Sequence, residues 1–249
     1  MSVTVIIPAL NEEESIGQVL ASIPVDVVDE ILVVDGGSSD DTVSIARAGG
    51  ARVVHEPQRG YGRACATGVR AASADGKHPA DDEHAADNEH VGDIVVFLDA
   101  DGADDPSQIP DLLAPLLAKR ADMVLGSRLA GEIAPGRLLS EGAMPWHQRF
   151  GNQLAAWLIR GLYGLQITDL SPFRAVDREH LLGLKMEEMR YGWPTEMIVK
   201  ASRRGWHVVE IPVRYRPRMG GRSKISGTAR GTALATYDIL RTILRYARG

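Results

Sequence analysis

A chain of 249 residues, 44% hydrophobic and 24% charged, has room for one large α/β domain and the composition of an ordinary globular protein, which excludes a disordered or fibrous one. Its single cysteine, Cys65, excludes an internal disulfide and a cysteine-rich metal site, and no run approaches the ~20 apolar residues that span a bilayer. The net charge of -5 is uneven: residues 75–93 hold seven acids against one lysine, while from Arg203 onward eleven arginines and lysines face only Glu210 and Asp238, which suggests an anionic ligand or surface nearby.

In chain order, "SVTVIIP", "EILVVD", "ARVVHE", "DIVVFLD" and "ADMVLGS" are short β-branched runs that predict strands. Between them lie helical stretches with start signals. Asn11 followed by Glu14 resembles a capping box for "EEESIGQVLASI", whose Ile16, Val19, Leu20 and Ile23 form one apolar stripe. Ser39 and Asp40 open "DTVSIARAGG", which ends at a glycine pair suited to a helix terminus. Asp105 caps and Pro106 begins the helix of "SQIPDLLAPLLAKR". Strands alternating with helices predict a mostly parallel central sheet covered on both faces, with ligands beyond the carboxyl ends of its strands. Four polar loops lie at those ends: "PALNEE", "DGGSSDD", "EPQRGYGRA" and "DADGADD". Residues 75–93 read as an acidic, flexible insertion.

The acids after the fourth strand allow three readings: helix-capping loop, calcium loop, or divalent-cation site. Asp99 and Asp101 are two apart in an extended segment, so both side chains can face one way, as magnesium held by one or two carboxylates, waters and substrate phosphates requires. A calcium loop counted from Asp99 fails, because Asp104 stands where glycine is needed and Pro110 where glutamate is needed. Capping accounts for Asp104 and Asp105 but not for Asp99 or Asp101. No P-loop, dinucleotide fingerprint after the first strand or G-x-S-x-G elbow is present. What remains is a metal-dependent site for a phosphate-bearing ligand.

Eight motifs in order, "VIIPALNEEESI", "ILVVDGGSSDDT", "RGYGRACATG", "VVFLDADGADDP", "GSR", "DLSPFRA", "YGWPTEM" and "YRPRMGGRSKISG", resemble the family 2 glycosyltransferases, and most of all their dolichyl- or polyprenyl-phosphate mannosyltransferase branch. The resemblance implies a GT-A fold over residues 1–227, followed by an amphipathic basic helix over 228–249. It implies a nucleotide-sugar donor (a GDP- or UDP-hexose), magnesium or manganese at a D-x-D motif, and inversion at the anomeric carbon. By position, Pro8, Leu10, Asn11, Glu12, Asp35, Gly62 and Asp99 are expected at the nucleotide, and Asp99 and Asp101 at the metal. Arg128, Arg149, Ser223 and Lys224 are expected at the acceptor or its phosphate, and Asp101, Asp169 and Arg218 in catalysis. A cation with Arg and Lys suits the charge that builds on a diphosphate leaving group.

This chain departs from the pattern at Gly36, where many relatives carry an acid, at Ala103, where the branch has glutamine and where Asp104, Asp105 or water is expected to fill the gap, and at Ser171-Pro172, where relatives often carry Ser-Gly or Gly-Gly. A phosphate acceptor is already anionic and attacks unaided, whereas a hydroxyl acceptor needs a base, for which Asp169 ranks ahead of Glu196. The segment 152–165, apolar on nearly all sides, and the C-terminal helix, with Tyr237, Leu240 and Leu244 beside Arg241, Arg245 and Arg248, suit either a membrane surface or packing against the sheet or a second copy. The expectation is a cytoplasmic, inverting hexosyltransferase, peripheral on the cytoplasmic face of a membrane, with a lipid-phosphate acceptor and no nucleic acid partner. A water-soluble hydroxyl acceptor, a nucleotidyltransferase and a silent nucleotide-sugar-binding protein are the alternatives.

Overall fold

The computed structural model describes residues 2–72, 93–133, 140, 142–220 and 229–247. Ser223, Lys224 and nearly all of the acidic stretch 75–93 lie outside them, as does Arg248.

Seven strands form one sheet: β1 (Val3–Ala9), β2 (Glu30–Asp35), β3 (Arg52–His55), β4 (Ile94–Phe97), β5 (Met123–Ser127), β6 (Arg174–Asp177) and β7 (Val208–Pro212), in the order β3-β2-β1-β4-β6-β5-β7. All neighbours are parallel except β6, which runs antiparallel to both β4 and β5. The five predicted strands are all present, while β6 and β7 carried no sequence prediction. Alternation along the strands builds two cores. Val5, Ile7, Val33 and Val96 point to one face, under α1 (Ile16–Ala21), α2 (Thr42–Ala48) and α4 (Ile109–Leu117). Ile6, Leu32, Val34 and Phe97 point to the other, under α3 (Tyr61–Ala71), α6 (Trp146–Tyr163) and α8 (Trp193–Arg203). Such double coverage is what nearly continuous apolar strands require. The short helices α5 (Arg128–Ile133) and α7 (Arg178–Gly183) follow β5 and β6 directly.

Two helix starts differ in outcome. Asp105 accepts from Ser107 N at 3.2 Å and caps a turn over Pro106–Gln108 that runs into α4, as predicted. Asn11 is not a cap: it sits at φ 51°, and its side-chain oxygen accepts from Ser39 N at 2.8 Å, tying the loop after β1 to the loop after β2. The helix therefore starts only at Ile16, and the preceding Ser15 hydroxyl donates to Ala100 O at 2.8 Å instead of capping.

The C-terminal helix α9 (Ala229–Tyr246) is packed into the body against α8 and α6. It buries Ala235, Asp238, Thr242 and Ile243, and Tyr246 Oη donates to Glu196 at 2.6 Å. Tyr237 and Leu244 face outward. The inner side of this segment packs on α8 and α6 rather than on the sheet. Among the described residues no helix is long and apolar enough to cross a membrane.

Candidate active site

The parallel strands deliver their carboxyl ends to one edge, so the loops after β1, β2 and β4 meet there. Because β6 runs the other way, the loop before it, with Asp169, Ser171 and Pro172, reaches the same edge. Arg128 follows β5 immediately. Beyond β7 the chain folds back along the loop after β4: Arg216 N donates to Ala103 O at 2.8 Å and Met219 N to Asp101 O at 3.0 Å. Arg218 is thereby placed over the acids.

Three groups expected at the site, Glu12, Asp101 and Arg218, are joined there, with Asp99 beside them on the same cavity wall. Arg218 donates to Asp101 Oδ2 at 2.8 Å and to both carboxylate oxygens of Glu12 at 2.8 Å. Asp101 Oδ1 accepts from Ala103 N at 2.9 Å, and Asp99 Oδ1 accepts from the Tyr61 hydroxyl at 3.2 Å. A cavity of about 390 Å³ is lined by Tyr61, Asp99, Asp101, Arg128, Tyr215 and Arg218 among others.

The acids at this edge are crowded and buried. Burial, and then the charge of Asp101, push the Asp99 carboxyl up to about 7, against the pull of Tyr61 and Arg128. Asp104 is also driven upward by burial and by Asp99; it is 3% exposed, and neither of its oxygens has a hydrogen-bond partner among the described residues. This crowding of acids is costly, and a divalent ion with oxygen ligands relieves it. Asp99 and Asp101 fit that ion in residue type and spacing. Among the described residues no group of three His, Cys, Asp or Glu side chains forms a cage, which leaves water and substrate phosphate to complete the coordination. Asp105 cannot stand in for the glutamine missing at Ala103, since it holds Ser107, Arg214 and Arg216.

On the nucleotide side, burial raises the Asp35 carboxyl, but hydrogen bonds from Ser38, His55 and Gly37 outweigh it and hold the group below its ordinary value. Its partners are Ser38 N at 3.0 Å, Gly37 N at 3.2 Å and the His55 imidazole at 3.0 Å. Asp35 is thus ionised and fixed at the strand end next to Ala9 and Leu10, with Pro8 one pair behind in the β1–β2 register.

Three expected site residues have other engagements. Asp169 is fully buried and accepts from Arg128 N at 2.8 Å, Arg128 Nε at 2.9 Å, an Arg128 terminal nitrogen at 2.7 Å and Asn152 Nδ2 at 2.8 Å. Burial raises its carboxyl, and the Arg128 charge and hydrogen bonds more than offset this, holding it low. A carboxylate with four donors on it is a clamp for Arg128. Arg149 forms a two-pronged pair with Glu132, at 3.0 and 2.6 Å, and does not line the cavity. Gly62 is a packing residue: a Cβ there would come within 2.6 Å of Glu188 O and 2.8 Å of Trp193 Cβ. The second-ranked base, Glu196, is also occupied, by Lys200, Tyr246 and the amides of Glu187 and Glu188.

Sequence reasoning missed three contributors. Tyr61 lies inside a quoted motif but had no assigned role, Tyr215 stacks on the Arg128 guanidinium at 5.1 Å, and Asn152 braces Asp169 from α6. Tyr61 and Tyr215 carried a sequence signal, the one in the glycine-flanked loop and the other as the aromatic that opens "YRPRMGGRSKISG"; Asn152 carried none.

The family model described as glycosyl transferase family 2 matches residues 4–164. An uncharacterised glycosyltransferase of Mycobacterium tuberculosis is 40% identical over 242 residues, 97% of this chain and 98% of that protein. A dolichyl-phosphate hexose transferase of Haloferax volcanii is 32% identical, covering 92% of this chain and 89% of its own, and an undecaprenyl-phosphate mannosyltransferase of Micrococcus luteus is 30% identical, covering 94% and 91%. Among solved structures, glucosyl-3-phosphoglycerate synthase from Mycobacterium tuberculosis in complex with phosphoglyceric acid superposes with a TM-score of 0.71 at 27% identity, over 99% of this chain and 80% of that one. The same enzyme with Mn2+, UDP-glucose and phosphoglyceric acid gives 0.70 at 26%, over 99% and 79%. With the doubly covered, mostly parallel sheet of the GT-A fold and the family match over more than half its length, this chain belongs to glycosyltransferase family 2.

Proposed function

We propose that the protein is a divalent-metal-dependent hexosyltransferase that takes a hexose from a nucleoside diphosphate sugar and transfers it, with inversion, to an acceptor bearing a phosphate. One observation carries this reading: a single cavity is lined by crowded acids, Asp99 and Asp101, and by fixed cations, Arg128 and Arg218. A sugar diphosphate needs the first set with its ion, and an anionic acceptor or leaving group needs the second.

Asp99 and Asp101 hold magnesium or manganese, which when bound supplies Lewis-acid stabilisation of the diphosphate. Pro8, Leu10, Asn11, Glu12 and Asp35 receive the nucleoside, with Asp35 ionised and prepared to accept a base N–H. Arg218 bridges the β1 loop and the D-x-D loop and neutralises charge as the diphosphate departs. Arg128 faces the acceptor phosphate, its guanidinium oriented by Asp169, Asn152 and the Tyr215 ring. Asp169 acts in this scheme through Arg128 rather than as a base.

The likeness to glucosyl-3-phosphoglycerate synthase over 99% of the chain supports a water-soluble phosphorylated acceptor; with Asp169 and Glu196 both engaged, the proton of an attacking hydroxyl would pass to the departing diphosphate or to water. A second reading, a polyprenyl phosphate, is favoured by the sequence relatives and by one feature of the cavity walls. A largely apolar groove of about 240 Å³ runs between α6 and α9 and shares Arg128, Gln148 and Tyr191 with the acidic cavity. A phosphate at Arg128 could have its apolar chain in that groove.

Labelled UDP-glucose and GDP-mannose, each with Mn2+, should be incubated with 3-phosphoglycerate or with undecaprenyl phosphate in detergent. Label in a water-soluble phosphorylated product supports the first acceptor, and label in the organic phase the second. No transfer to either, with the donor hydrolysis rate also at background, contradicts the enzyme reading.

A further inference from the structure

The outer face of α6 is the least expected surface on the molecule. Trp146, Phe150, Leu154 and Trp157 fall at helical spacing on one stripe and are 78, 63, 38 and 63% exposed. The opposite face of the same helix carries Ala155, Ile159 and Asn152, which pack on the core or brace Asp169. The groove shared with α9 also lies on that inner side, lined by Gln148, Gly151 and Ala155. Three exposed aromatics on one helix, in a chain with only three phenylalanines and four tryptophans, mark a contact surface rather than scattered surface residues.

From this we propose that the outer face of α6 is a homodimer interface, formed with a second copy of this chain around a two-fold axis near Gln153 and Leu154. The surface is self-complementary, as such an axis demands. Beside the aromatic ridge lies a groove of about 540 Å³ between α5 and α6, lined by Leu129, Ala130, Leu154 and Thr168 as well as by Phe150 and Trp157. Antiparallel pairing of two α6 helices sets Phe150 opposite the partner's Trp157. It also sets Trp146 opposite the partner's Gly161, where an added Cβ would find nothing within 4 Å.

Exposed Arg160 lines the same groove as Glu132, whose two carboxylate oxygens are already held by Arg149. Aromatic side chains bury ~150–250 Å² each, so the three contribute roughly 400 Å² per protomer. Leu154, Gln153, Arg160 and the groove walls extend that towards the ~800 Å² per partner of a standard interface. A lipid surface fits less well, because Arg149 is neutralised by Glu132 and Arg160 is left as the one arginine on α6 able to face anionic head groups.

Sedimentation equilibrium at micromolar concentration should give a mass twice the 26.9 kDa of the chain, and Trp157→Glu should return it to the monomer with its circular dichroism unchanged. Cys65 is buried, so an introduced cysteine reports cleanly. Gln153→Cys should cross-link to a covalent dimer under mild oxidation, and Val25→Cys, on a remote exposed turn, should not. Arg160→Glu should raise the dimer dissociation constant at least tenfold and decides the matter if Trp157→Glu fails to fold. A wild-type monomer at tens of micromolar, or a dimer that survives Trp157→Glu and gives no Gln153→Cys cross-link, overturns the proposal. So does a monomer that binds phosphatidylglycerol vesicles through Trp157.

Discussion

Arg128 is expensive to place where it is, since its side chain is only 14% exposed; among the described residues Asp169 is the carboxylate that pairs with it directly. Replacing that carboxylate by Asp169→Asn strands the cation, and breaking a buried pair costs ~3–5 kcal/mol. The pH dependence follows from the depressed Asp169 carboxyl. Its contribution is present above the ordinary carboxylate value near 4 and is lost as pH falls through the lower folded value. Denaturant titrations should therefore show the gap between wild type and variant wide at pH 7 and narrowing below about pH 4. A gap constant down to pH 2 would refute the clamp. The sequence identified Asp169 as a site residue through its motif but not its task, because the groups that fill its oxygens come from α5 and α6, 41 and 17 positions away. By contrast Asp99 and Asp101 were legible in place: two acids in an extended segment after a buried strand end up on the wall of one cavity.

At the scale of elements, what was legible was whatever a local pattern controls. Five strands, the Asp105 cap and the two-faced alternation follow from spacing and residue type alone. The antiparallel β6 did not, because "RAVD" is four residues long and only its pairing with Phe97 and Leu125 reveals it. The start of α1 was misplaced because Asn11 makes a long-range bond to Ser39 in preference to a local cap. The α3 N-terminus shows how close packing, not ligand binding, can explain a glycine motif. Gly60 has φ 152°, and its Cβ position overlaps the Met189 carbonyl, while Gly62 abuts Glu188 O and Trp193. Backbone cannot yield as a flexible side chain would. Gly62→Ala should cost ~1–3 kcal/mol in thermal unfolding while leaving the nucleotide dissociation constant of the folded protein within a factor of about two. A large loss of nucleotide affinity at unchanged stability would return Gly62 to the nucleotide site.

For the molecule as a whole, the sheet edge, the two grooves and the outer face of α6 divide the work. Acids and arginines gather at the carboxyl ends of the strands, an apolar groove leads away from Arg128, and the aromatic stripe points in the opposite direction. The proposed dimer would meet the groove at Leu154, which belongs both to the stripe and to the groove wall. The basic character of the C-terminal fifth is partly explained: Arg214 and Arg216 hold Asp105, Arg218 holds Asp101 and Glu12, and Arg245 holds Glu187. The central claim is that Asp99 and Asp101 form a metal-dependent donor site. Its most direct test is calorimetric titration of wild type and Asp101→Ala with UDP, GDP, UDP-glucose and GDP-mannose, each with and without Mn2+. One nucleotide series should bind wild type only with Mn2+, and more tightly at pH 8 than at pH 6 because the Asp99 carboxyl, pushed up to about 7, must lose its proton. Asp101→Ala should bind none of them while unfolding as cooperatively as wild type. Nucleotide binding by wild type that is indifferent to Mn2+, or undiminished in Asp101→Ala, would contradict the metal site on which the proposed function stands.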